Sequence, residues 1–105
     1  WGAVHTNGTI YSSHNVKAVT SGATGYATVE FGVALKGARN DYSIIMTAVG
    51  DGSTVNGKVV AGIHSNADAN FTNEFFIARC NYSNTGSTDV DTVVHFVVFG
   101  ELDNE

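Results

Sequence analysis

The side chains of this 105-residue chain that could do chemistry are ten carboxylates, four histidines and one cysteine. Asp89 and Asp91 form a close acidic pair, which could serve a glycosidase or, with loop carbonyls, a calcium ion. They lie in a run of Ser, Thr and Asn, where adjacent acids are more often simply solvated. No nucleophile elbow, phosphate-binding glycine loop or His-Glu-x-x-His motif is present. We therefore predict no enzyme activity, no catalytic residue and no cofactor.

The histidines are spread along the chain, at His5, His14, His64 and His95. None has a partner at a spacing typical of metal ligands, so we predict no metal site within one chain. His95 is expected to be a hydrogen-bonded residue of the core or of a subunit interface. Its symmetry copies could meet in an oligomer, which leaves a pH-sensitive contact or a shared metal open.

Cys80 is the single cysteine, so an intrachain disulfide is excluded. It lies in the strand-like segment 75–80, and we predict a buried, inert thiol.

Two segments, 50–57 and 82–91, are rich in amide, hydroxyl and carboxylate groups. These groups match the hydroxyls of a sugar, and a tyrosine can stack on the apolar face of a sugar ring. The same residue types also make ordinary turns, which is the alternative interpretation. The candidate receptor-binding residues are Asp51, Ser53, Thr54, Asn56, Tyr82, Asn84, Thr85 and Asp89.

The elements that would position these residues are strands, because apolar and polar residues alternate along the chain and turn signals recur roughly every 8–12 residues. The pattern predicts one all-β domain over 1–105, an antiparallel β-sandwich that is jelly-roll-like. The break at Ser13-His14 lacks a glycine and is predicted to be a bulge. The eight predicted strands are 1–5, 9–13, 15–20, 26–33, 41–49, 57–64, 73–82 and 92–99.

The last of these strands is apolar on both faces, and segment 42–49 shows a weaker form of the same pattern. Such a strand lies either between two layers of its own domain or between its core and a neighbouring subunit. The candidate oligomer-interface residues are Val94, His95, Phe96 and Val98.

The composition excludes several classes of partner. The net charge is −5 and the five basic residues are scattered, which argues against nucleic acid. No apolar run approaches the ~20 residues of a membrane span, so no membrane insertion is predicted. The chain begins at Trp1, and we expect it to be the C-terminal piece of a longer polypeptide.

The hairpin at 15–31 carries a resemblance. It begins with Asn15-Val16, turns at Gly22 and Gly25, and continues through Gly25-Tyr26 to Phe31. With Trp1-Gly2-Ala3-Val4 and Val97-Val98-Phe99-Gly100, it resembles the C-terminal tip domain of bacteriophage tail-fibre and tail-spike proteins.

The resemblance implies a homotrimer joined to an upstream fibre shaft, at the distal end of the virion's tail fibre. It also implies attachment to a bacterial surface polysaccharide or an outer-membrane receptor. Two alternatives stay open. The domain could be a non-catalytic cap that registers the trimer, or a carbohydrate-binding module or accessory domain of a cell-surface enzyme.

Eight antiparallel strands also predict which connections lie together. If successive connections alternate between the two ends, connections 6–8, 21–25, 50–56 and 83–91 share the end opposite the N-terminus. A shaft at the N-terminus would then leave both polar segments facing away from the virion.

Overall fold

The computed structural model describes residues 1–50, 58–83 and 88–103. Within these ranges, eight strands form two four-stranded antiparallel sheets, which confirms the predicted all-β sandwich. The first sheet has the order β2-β1-β8-β5 and the second β3-β4-β7-β6. The strands are β1 Gly2–His5, β2 Ile10–Ser13, β3 Val16–Ser21, β4 Tyr26–Phe31, β5 Ser43–Ala48, β6 Val59–Ile63, β7 Phe75–Tyr82 and β8 Val93–Phe99. No helix in these ranges has the length and apolar character needed to cross a bilayer.

The core lies between the sheets because each central strand turns alternate apolar residues inward. β4 buries Val29 and Phe31, while β7 buries Phe76 and Cys80. Phe96 of β8 meets Phe76 edge to face, with ring centroids 5.3 Å apart, and so joins the two sheets. Burying each such side chain contributes about 1.5–3 kcal/mol.

The chain moves between the sheets four times, at β2–β3, β4–β5, β5–β6 and β7–β8. β5 pairs with β8 in the first sheet while β6 pairs with β7 in the second, so the last two crossings join two strand pairs in opposite sheets, as in a jelly roll. The first half is simpler, because β1–β2 and β3–β4 are hairpins within one sheet.

The connection at Ser13-His14 is a turn, so the predicted bulge is wrong. Asn15 adopts φ 58°, a conformation that asparagine tolerates better than most residues, and this carries the chain from the first sheet to the second. The Asn15 side chain accepts a hydrogen bond from the Val33 N–H at 2.7 Å and donates one to the Val33 carbonyl at 3.0 Å. Asparagine thus replaces the glycine whose absence suggested a bulge.

Hydrogen bonds between connections show that they alternate between two ends, as the antiparallel order predicts. At one end, the His14 N–H bonds the Trp1 carbonyl and the Leu35 N–H bonds the Asn73 carbonyl. We call this the terminal end, since it also holds Leu102, which bridges to Leu35. The opposite end, here the distal end, holds Thr6, Gly25, Lys58, Ser83 and Asp91.

Candidate functional site

Two of the eight candidate recognition residues, Tyr82 and Asp89, fall in the described part of the chain. The others lie outside the described residues: Asp51, Ser53, Thr54, Asn56, Asn84 and Thr85.

The residues that flank the two polar segments meet at the distal end. The Ser83 N–H donates to the Lys58 carbonyl at 2.7 Å, and the Lys58 N–H donates to Ser83 Oγ at 3.0 Å. Lys58, which follows segment 51–57 in the chain, therefore lies beside Ser83, which precedes segment 84–87. Val49, on the other flank of the first segment, donates its N–H to the Val93 carbonyl at 2.9 Å.

Tyr82 ends β7 on the inward-facing side of the strand. Its side chain is half-buried and packs against the core, and its N–H donates to the Thr88 carbonyl at 3.1 Å. The structure thus gives Tyr82 a packing role, and its role in stacking on a sugar stays a prediction.

Asp89 forms an ion pair on the outer side of the second sheet. Its Oδ1 accepts a hydrogen bond from Arg79 Nε at 2.9 Å, and this bond raises the pKa of Arg79 above its usual value. The Arg79 guanidinium also lies 5.3 Å from the centre of the Tyr26 ring, and His64 contacts that ring edge-on. A ligand of Asp89 would have to compete with Arg79.

Asp91 is directed to a different set of partners. Its Oδ1 accepts hydrogen bonds from the Thr6 hydroxyl at 2.9 Å and from the Gly25 N–H at 2.7 Å. Thr6 is fully buried, and its Oγ1 also accepts from the Thr92 N–H at 3.0 Å. The two carboxylates are therefore not simply solvated, as their loop suggested. Asp91 joins three of the four distal connections.

Gly25 allows the backbone of the turn at 21–25 to approach the backbone of Cys80 and Val90 closely. Its φ is 80°, and its carbonyl accepts from the Cys80 N–H at 2.8 Å. A Cβ at this position would lie 2.7 Å from the Cys80 carbonyl oxygen and 2.9 Å from the Val90 nitrogen. The second glycine of the resemblance motif is thus required by the approach of β7.

The histidines do not converge. His5 accepts from the Asn7 N–H, His64 contacts Tyr26, and His95 lies exposed on β8. Across residues 1–50, 58–83 and 88–103, no three His, Cys, Asp or Glu side chains are arranged to hold a metal ion. Cys80 is buried, as predicted, and burial raises its pKa to about 11.

The structure corrects the choice of interface residues. Val94 and Phe96 are 1% and 3% exposed and belong to the core, and Val98 packs against that core. These three side chains face the second sheet because they occupy the inward positions of β8. Only His95 of the predicted set is on the outer face.

The outer face of the first sheet exposes large apolar side chains beside Ser12, Thr47 and His95. Ile45 and Phe99 are 62% and 57% exposed, Val97 is 45% exposed, and Trp1 stands beside them. An open groove of about 580 Å³ runs along this face. We call it the apolar face, formed by Trp1, Ala3, Ser12, Ile45, Thr47, His95, Val97 and Phe99.

None of the outward positions of the four strands in the first sheet carries Asp, Glu, Lys or Arg. The second sheet differs, because Lys17 and Glu30 form an ion pair there and Arg79 lies nearby. The sequence indicated this face, because segments 42–49 and 92–99 carry apolar residues on both of their faces. The pattern alone did not tell which alternate residues point inward, so Ile45, Val97 and Phe99 were missed.

Comparisons of the chain with protein-family models, with curated proteins and with solved structures find no significant match.

Proposed function

We propose that this chain is the receptor-binding tip domain of a bacteriophage tail fibre. It would attach the virion to a bacterial surface glycan or envelope protein without catalysis, as a homotrimer that continues an upstream shaft. The proposal begins from the motifs in the hairpin at 15–31 and at 1–4 and 97–100.

The observation that carries the proposal is the double hydrogen bond between Lys58 and Ser83. It joins the two segments whose chemistry suits glycan recognition, so that residues from both could contact one ligand. If the two segments were attached to separate parts of the fold, the residues that contact a ligand would lose more conformational entropy on binding. A shared, fixed support reduces that loss.

The hydrogen bonds of Thr6, Gly25, Asp91 and Thr92 at the distal end, here called the distal network, support the same proposal. Asp91 holds the connections that contain Thr6 and Gly25, and Thr92 donates its hydroxyl to the Val49 carbonyl. The flanks of both polar segments are therefore fixed to the sandwich. This arrangement is typical of binding sites in which a rigid scaffold positions loop residues.

The test is binding of the purified domain to an array of bacterial capsular polysaccharides and lipopolysaccharides. We expect at least one glycan to bind, and a variant with Asn56→Ala and Asn84→Ala to lose most of that binding. Asn66 is an exposed asparagine in the connection between β6 and β7, so Asn66→Ala is the matched control and should bind as the wild type. The proposal would be contradicted if the double variant and Asn66→Ala both bound the glycan as strongly as the wild type.

A second candidate function is a cap that ends the shaft and registers the trimer, with recognition elsewhere. The apolar face favours it, because an uncharged surface of this kind suits burial between subunits. The two candidates differ in one result: a cap would bind no glycan.

A further inference from the structure

We infer that the outer surface of β6 and β7 is a second part of the glycan-binding site, and that it takes an acidic sugar residue whose carboxylate pairs with Arg79. The inference rests on the proposed function, because it concerns the same ligand. Arg79 is not among the candidate residues that the sequence suggested.

The outward residues of β6 and β7 form a continuous strip that begins where Lys58 meets Ser83. Successive outward positions of a strand are two residues apart, so on β7 Asn81 and then Arg79 follow Ser83. The distance from Ser83 to Arg79 is about 14 Å along an extended strand, which an oligosaccharide spans. We call this surface the β6–β7 strip, formed by Lys58, Val60, Gly62, Arg79, Asn81 and Ser83.

Gly62 leaves a recess in the middle of the β6–β7 strip. It lies directly opposite Arg79, and a Cβ added to Gly62 would meet no atom within 4 Å. The recess has a volume of about 310 Å³, with Val60 on one side and His64 on the other. Sites for small molecules typically begin at about 300 Å³. The missing side chain thus makes room for a sugar ring beside a guanidinium group.

Arg79 is held in position but keeps donors for a ligand. Asp89 accepts a hydrogen bond from its Nε at 2.9 Å, and its guanidinium packs against the Tyr26 ring. Within residues 1–50, 58–83 and 88–103, Nη1 and Nη2 of Arg79 make no hydrogen bond, and the side chain is 33% exposed. These two atoms present parallel N–H donors, the geometry that matches a carboxylate. Because other contacts already hold the guanidinium, it loses little conformational entropy on binding.

The charge of the β6–β7 strip favours an acidic ligand. Lys58 is exposed and makes no ion pair within the described residues, where Arg79 pairs with Asp89. The outward positions of β6 and β7 carry no Asp or Glu. The strip is therefore locally positive on a chain whose net charge is −5. An acidic glycan is attracted to these charges, whereas a neutral one gains less from them.

The experiment uses the array of capsular polysaccharides and lipopolysaccharides, with each glycan printed in its native form and after its carboxylates have been reduced to alcohols. Gly62→Leu fills the recess without removing a charge, and Arg79→Gln removes the guanidinium. The matched controls on the same outer face are Thr20→Leu, at an exposed strand position, and Lys17→Gln, which also removes a cation from an ion pair. Circular dichroism melting shows whether each variant folds.

We expect the retained glycans to contain uronic acids. Reduction of the carboxylates, Gly62→Leu and Arg79→Gln should each weaken binding at least about tenfold, while both controls bind as the wild type. Equal binding of native and reduced glycans, or wild-type affinity in Gly62→Leu, would overturn the inference and leave the proposed function standing. Retention of no glycan in either form would overturn both.

Discussion

Substituting Gly25 by alanine should destabilise the domain strongly. A non-glycine residue at φ 80° costs about 1–2 kcal/mol. The new Cβ would also lie 2.7 Å from the Cys80 carbonyl oxygen and 2.9 Å from the Val90 nitrogen. Both are backbone atoms, so the strands must shift, at about 1–3 kcal/mol for overpacking. The expected loss is about 2–5 kcal/mol, a large part of the ~5–15 kcal/mol that stabilises a typical domain.

Urea denaturation followed by far-UV circular dichroism measures this loss, and Gly22→Ala is the matched control. Gly22 lies in the same turn, but a Cβ there meets only Tyr26 Cβ at 3.7 Å, an ordinary contact. We expect Gly22→Ala to be neutral or to stabilise by up to ~1 kcal/mol. A loss below ~1 kcal/mol for Gly25→Ala, or equal losses for the two variants, would refute the reasoning.

The remaining predictions concern the distal network and the buried thiol. Thr6→Val keeps the shape of the side chain but leaves the Thr92 N–H without its partner. It should cost about 1–3 kcal/mol in urea denaturation, and a loss no larger than that of the exposed control Thr20→Val would contradict this. Burial raises the Cys80 pKa to about 11, while an unfolded thiol ionises near ~8.5. The contribution of the buried, protonated Cys80 thiol to stability is thus fully present below pH ~8.5 and is lost as the pH rises towards 11. We expect the unfolding free energy to fall by up to about 1.4 kcal/mol per pH unit there, and Cys80→Ala to flatten this fall between pH 8.5 and 10. An equal slope in the variant would show that another group is responsible.

The fold could be predicted from the sequence because alternation is a local signal. In β4, Ala27, Val29 and Phe31 share one face, and the structure buries all three. The sequence also indicated which connections share an end, since antiparallel order alone decides this. The turn at Asn15 was missed because asparagine can replace glycine at positive φ, and only the contacts of its side chain with Val33 show that it does so.

The site was less predictable, because its contacts join residues far apart in the chain. Asp89 and Asp91 are two residues apart, yet one pairs with Arg79 and the other with Thr6. No local pattern distinguishes these roles. β8 posed a similar problem, because both of its faces are apolar and only the packing of Phe96 on Phe76 shows which face is inside.

The most direct test of the receptor-binding proposal is an NMR titration of the domain with a glycan that it retains on the array. We predict that the largest changes in amide chemical shift fall at the distal end, around Lys58, Ser83 and Thr88. Changes confined to the terminal end, around Asn15 and Asn73, or to the Tyr26 side of the second sheet, would contradict it.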